Sequence, residues 1–147
     1  MIVVDVNLLL YSHNPDATLH KRARRWLEEV MSGNETVGIP FMAATAFLRV
    51  ATNDSLAKIH MRMEDAVAAL EQIFECSNVR VLHTDTPHWR ALNKVLRESG
   101  VTGKHVSDAQ FAAFAIQHGA TLCTTDRHFA RFPGLRWMNP LADKPVN

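Results

Sequence analysis

The sequence predicts an α/β protein with a three-layer, doubly wound and mostly parallel sheet of four to five short strands flanked by helices. Two observations carry this expectation. Apolar runs of strand length at Ile2–Val4, Thr36–Ile39, Val79–Leu82 and Ala120–Thr124 alternate with longer stretches of helical periodicity. That alternation is the pattern of right-handed crossovers in a parallel sheet. In addition, 147 residues, 47% of them hydrophobic, suit one domain with one core. The domain is expected to span residues 1–141, followed by a flexible tail over 142–147.

The first strand ends at Asp5, and a helix is expected over Asn7–Ser12. Asp16–Met31 reads as an amphipathic helix, because Ala23, Trp26, Leu27, Val30 and Met31 fall on one stripe. Arg24–Glu28 and Arg25–Glu29 are (i, i+4) pairs on its wet side, and Gly33-Asn34 stops it. After the second strand and Pro40, Phe41–Thr52 reads as a buried helix. Asn53–Met63 is a polar connection. Glu64–Glu75 is helical, with Val67, Leu70, Ile73 and Phe74 expected inward. After the third strand, Pro87 suits the start of a helix that runs to Ser99 and ends at Gly100. Trp89, Leu92, Val95 and Leu96 share one face of it. Ser107 and Gln110 have capping-box spacing. Between Ala109 and Ile116 only Gln110 is polar, so that helix is expected to be hidden on nearly all sides. Leu135–Trp137 is a candidate fifth strand.

The net charge of +1 excludes a global basic field, so nucleic-acid contact must come from local patches. No run approaches the ~20 apolar residues of a membrane span. The N-terminus has no basic leader and is not expected to be a signal peptide. The two cysteines, Cys76 and Cys123, lack metal-ligand or redox spacing and read as small core residues. A reducing compartment, the cytoplasm, fits them.

Ligands of doubly wound sheets bind outside the carboxyl ends of the strands. Asp5 and Asp126 sit there, and Asp108 opens the hidden helix that leads into the fourth strand. Each has an ordinary alternative: Asp5 as a helix cap, Asp108 as an anion at a helix N-terminus, Asp126 as a turn cap. Taken together they ask for more. Two carboxylates about 5 Å apart repel by about 3 kcal/mol at an effective dielectric near 20. Three gathered acids therefore call for a cation or a proton, and Mg²⁺ or Mn²⁺ prefers such oxygen donors. Asn7 and Thr124, two residues from Asp5 and Asp126, are candidates to orient the shell around the cation. Helix capping and strand preference are their alternatives.

Asp5-Val6-Asn7, Val106-Ser107-Asp108-Ala109 with Ala112-Ala113-Phe114-Ala115, and Thr124-Thr125-Asp126-Arg127-His128-Phe129 together resemble the PIN-domain family. The resemblance is nearest to VapC-type toxins of toxin–antitoxin modules, in particular the mycobacterial set. Ala46-Phe47-Leu48-Arg49-Val50-Ala51-Thr52-Asn53 and the run from Phe129 through Asn139-Pro140-Leu141 add to it. It implies Mg²⁺- or Mn²⁺-dependent RNA endonuclease activity, with transfer RNA an expected target, homodimerisation, and neutralisation by a small antitoxin. Helices within residues 7–75 are the expected antitoxin surface. The sequence departs from the family at the third helix, where a Glu is usual: the corresponding place falls at or near Ala46, within Ala44-Thr45-Ala46-Phe47, and no acid stands there. One metal ligand is therefore missing from the usual set, although other sequences of the mycobacterial type share this lack.

On this reading Asp5, Asp108 and Asp126 hold the cation and carry catalysis. Arg49, Arg127 and His105 are candidate substrate contacts, with His128 a weaker one. Water-facing positions are the alternative for Arg49, and an ordinary loop position is the alternative for His105. The Lys21-Arg22-Ala23-Arg24-Arg25 patch reads as a solvated helix face, and Met61 and Met63 as packing residues. Two rivals remain. One is a non-cleaving protein of the same fold that binds RNA or an antitoxin, which the absent Glu favours. The other is a phosphorylation domain using Asp85 and Lys104, which lacks the adjacent acids such a site needs after the first strand.

Overall fold

A computed structural model of the chain describes residues 1–53 and 59–143. Five parallel strands, β1 (Ile2–Val4), β2 (Val37–Pro40), β3 (Val79–Leu82), β4 (Thr121–Cys123) and β5 (Trp137–Met138), lie in the order β3-β2-β1-β4-β5. The chain moves outward from β1 to β3, then crosses back to β4 on the other side of β1. The junction of β1 and β4 is therefore the topological switch point.

Six helices cover the two faces: α1 (Val6–His13), α2 (His20–Met31), α3 (Phe41–Ala51), α4 (Met63–Phe74), α5 (Thr86–Ser99) and α6 (Val106–Gln117). Alternation along β1 feeds both cores. Val4 packs with Leu8, Leu27, Phe47 and Leu70 beneath α1 to α4. Val3 packs with Val95, Ala112, Phe114 and Leu122 beneath α5 and α6. Ala109 and the run Phe111–Ala115 are buried, as the all-round apolar character of α6 predicts. Four of those six residues are alanines, so this helix lies close against β1 and β4.

Gly38 lets β2 sit between its neighbours. A Cβ there would come within 2.8 Å of both Leu82 Cδ1 and Met1 Cε.

Several sequence expectations need correction. α2 begins at His20 rather than Asp16, since 15–19 form turns. Ser107 is not a cap: a 3₁₀ turn, Gly103–His105, leads straight into α6, and its N-cap is His105, without a side-chain cap bond. Val67 is 37% exposed, while Ala66 takes the inward place beside Leu70 and Ile73. Trp89 is 59% exposed. His88 is buried instead, stacked on Phe114 with ring centroids 3.8 Å apart. Asp85 accepts the His88 N–H at 2.7 Å as the cap of α5, a structural duty that leaves the phosphorylation-domain reading without support. Arg24 and Glu28 pair at 2.9 Å as expected. Within the expected tail, Asp143 pairs with Arg22. Residues 144–147, like 54–58 of the expected connection, lie outside the described residues.

Phe47 is fully buried at the centre of the larger core. Phe47→Ala is expected to lower unfolding free energy by about 3–5 kcal/mol, read from urea denaturation followed by circular dichroism.

Candidate functional site

The switch point fixes the site's geometry. β1 and β4 pair with Val4 opposite Cys123, so the next residues, Asp5 and Thr124, emerge side by side. The Asp5 N–H still donates to the Cys123 carbonyl at 3.0 Å, and the Thr124 N–H to that of Met138 at 3.0 Å. Both residues are held by the sheet although they lie past its strands.

The Thr124 hydroxyl, completely buried, organises the polar groups around it. It donates to Asp5 Oδ2 at 2.6 Å. A hydroxyl has one proton, so its other contacts must be acceptances. It takes the Asn7 Nδ2 at 3.1 Å and the Asp126 N–H at 3.0 Å. This polarity fixes the Asn7 amide, whose Oδ1 is buried with no hydrogen-bond partner. Buried acceptors are rarely left in that state.

Asp5 is 6% exposed, and its Oδ1 accepts the Val6 N–H at 2.7 Å. Burial pushes its carboxyl up from 3.8 to about 6, with the charges of Asp108 and Asp126 adding to that; the Thr124 and Val6 donors work the other way. Asp108 and Asp126 are thus both within electrostatic reach of Asp5. Each is steadied by a histidine: His105 Nδ1 lies 3.1 Å from Asp108 Oδ2, and His128 Nδ1 lies 2.9 Å from Asp126 Oδ1, which also accepts the His128 N–H. Among the described residues, no three His, Cys, Asp or Glu side chains converge closely enough to enclose a metal ion as they stand. Each acid has at least one oxygen turned to a donor of the chain itself.

Asp5, Asn7, Thr124 and Asp126 therefore share one hydrogen-bonded network, with Asp108 facing it. His105 is engaged through Nδ1 with Asp108. Arg49 and Arg127 are exposed, and neither is joined to the network. The histidine pairings are the part sequence reasoning missed; the three-residue spacing of His105 and Asp108 at a helix start was their only signal.

Apart from the two histidines that pair with Asp108 and Asp126, the available donors are oxygens: three carboxylates and the unpartnered Asn7 amide oxygen. That set suits a hard divalent cation, and Mg²⁺ keeps several waters and takes only one or two carboxylates directly. The residues present thus fit such an ion through water-bridged contacts.

The fold and its acids at the switch point can be set beside known proteins, which define the class. The family model of the PIN domain matches residues 2–135, and the chain belongs to the PIN-domain family. It is similar to the VapC ribonuclease Mb2897 of Mycobacterium bovis, 33% identical over 141 residues that cover 96% of each chain. It is 31% identical over 143 residues to ribonuclease VapC33 of Mycobacterium tuberculosis, covering 97% of this chain and all of that one. Among solved structures, VapBC2 from Rickettsia felis bound to a promoter DNA fragment superposes with a TM-score of 0.69 at 21% identity, covering 95% of this chain and 98% of that one. The sarcin-ricin loop cleaving toxin VapC20 of M. tuberculosis gives 0.65 at 21% identity, covering 92% and 99%.

A carboxyl raised to about 6 in the fold, against 3.8 outside it, favours the folded state below pH 4 and loses that advantage as pH rises through 6. Asp5→Asn is therefore expected to be more stable than wild type at pH 7 in the presence of chelator, by up to about 3 kcal/mol. The gap should close as pH falls towards 4, read from thermal unfolding across that range.

Proposed function

We propose that the protein is a Mg²⁺- or Mn²⁺-dependent endoribonuclease of a toxin–antitoxin pair. It would act in the cytoplasm on RNA, with transfer RNA the expected class, as a homodimer silenced by a small antitoxin. The observation that carries this reading is the buried Asp5 at the switch point, within electrostatic reach of Asp108 and Asp126, where burial first and those charges after it oppose its ionised state. Similarity to chains named VapC ribonucleases supports the activity, and the kinship in fold with VapBC structures supports the antitoxin.

Asp5, Asp108 and Asp126 would hold the cation, with Asn7 Oδ1 as a further acceptor. When bound, such a cation supplies Lewis-acid chemistry: it makes water more acidic and offsets charge on the phosphate. The chain's own contribution is placement. Thr124 locks the Asp5 carboxylate, and His105 and His128 orient Asp108 and Asp126. An attacking water forms a new bond to phosphorus as one P–O ester bond breaks, and the departing oxygen takes up a proton. Arg49 and Arg127, both exposed cations, would contact flanking phosphates.

A groove of about 390 Å³ between α1, α2 and α4, lined in part by His13, Leu27, Met31, Ala69 and Ile73, falls within the segment expected to receive the antitoxin. Among the described residues no helix is long and apolar enough to cross a membrane. The second reading, a PIN-fold protein that binds without cutting, is favoured by Ala46 standing where the family usually has Glu.

Incubation of total RNA with antitoxin-free protein separates the two. Discrete fragments that require Mg²⁺ or Mn²⁺ and disappear in Asp5→Ala and Asp108→Ala are the expected result. Thr124→Val, which removes the hydroxyl and keeps the shape, should lower the rate about 10–100-fold. Intact RNA under every condition, from folded protein, would select the non-cleaving reading.

A further inference from the structure

Two aromatic rings stand on the same sheet edge as the acids. Val3 pairs with Gly38 and Pro40 with Leu82, so Asp5 is level with the end of β2, and β2 with the end of β3. Phe41 and His83 are the first residues beyond those two ends. Adjacent strands lie about 4.8 Å apart, so the rings begin one and two strands from the Asp5 backbone. Phe41 and His83 stack on each other, with centroids 5.8 Å apart and planes inclined by 29°. Phe41 is 53% exposed and His83 is exposed as well.

The helix that starts at Phe41 continues the pattern. Phe41, Thr45 and Arg49 are all exposed at (i, i+4, i+8) spacing, one stripe of α3. Arg49 stands about 12 Å along the axis from Phe41 and makes no ion pair among the described residues. Exposed aromatic faces followed by an unpaired cation are what single-stranded RNA needs. Every base has a face to stack, and every linkage has a phosphate to neutralise.

We propose that Phe41 and His83 form a stacking platform for one unpaired nucleobase of the RNA substrate, beside the phosphate that is cut, with Arg49 taking a phosphate further along the strand. The platform positions the stacked nucleotide at the cleavage position and gives it the modest preference that stacking strength confers. This rests on the ribonuclease reading above and gives it a determinant of sequence preference. The mutual stacking of the two rings holds the surface in place before RNA arrives, and Phe41 keeps 53% of its surface exposed.

The test uses full-length protein and short RNA loops carrying 2-aminopurine, whose fluorescence falls on stacking. Binding is read in chelator, and cut sites are mapped on a randomised loop library with Mn²⁺. Wild type should quench the probe. Phe41→Ala should lose the quenching, bind at least about tenfold more weakly and spread its cut sites. Phe41→Trp should restore both properties, and Trp89→Ala, an exposed aromatic elsewhere, should leave them unchanged. Cleavage by wild type with an identical cut pattern and affinity for Phe41→Ala would overturn the platform and leave the ribonuclease reading intact. Phe41-dependent quenching without any cleavage would keep the platform and sink the nuclease. Conversion of a dimer to monomer by Phe41→Ala in sedimentation would also overturn it, by making this face a contact between copies.

Discussion

The pairing of β1 with β4 is the constraint on which the remainder depends. It joins the first strand of the chain to one whose partner residues lie about 120 positions later, and it places Asp5 directly beside Thr124. Because the Thr124 hydroxyl has a single proton, giving it to Asp5 compels Asn7 and the Asp126 backbone to act as donors. One hydrogen atom thus sets the orientation of three groups. The same pairing puts Val3 and Val4 into opposite cores, so the two layers of helices are anchored by the strand that carries the site.

The cost of this arrangement is local. A carboxylate at 6% exposure would ordinarily be paired with a cation of the chain, and among the described residues Asp5 has none, only a hydroxyl and a backbone N–H. Asp108 and Asp126 make matters worse by their charge. The alanine-rich α6 lies against β1 and β4 and presents Asp108 from its first turn. Close packing therefore stabilises the domain and crowds the acids with the same contacts. Sites that trade stability for chemistry are expected to look like this.

Much of this was legible in the sequence because periodicity reports which residues need burial. The strand and helix order, the hidden α6 and the two acids at strand ends all derive from that signal. Errors arose where periodicity gives a face but not its neighbour. Trp89 and Val67 lie near apolar stripes, yet the adjacent helices cover Leu92, Val95, Ala66 and Leu70 instead. The apparent capping box failed because a 3₁₀ turn can enter a helix without a side-chain cap. The histidine partners of Asp108 and Asp126 depend on side-chain rotation, which spacing does not encode. Phe41 was hidden by its context, since an apolar residue opening an apolar helix reads as core unless its strand register is known.

Ala46 shows how departures from a family pattern propagate. A further carboxylate at this edge would join Asp108 and Asp126 in opposing the ionised state of Asp5. Without it, Asp5 ionises more readily and the edge is less hostile to a phosphate. The exposed face of α3 then offers Phe41, Thr45 and Arg49, a neutral ring, a hydroxyl and a cation, with no acid among them. On the ribonuclease reading proposed above, α3 would give up part of the cation's shell and take on binding of the strand to be cut.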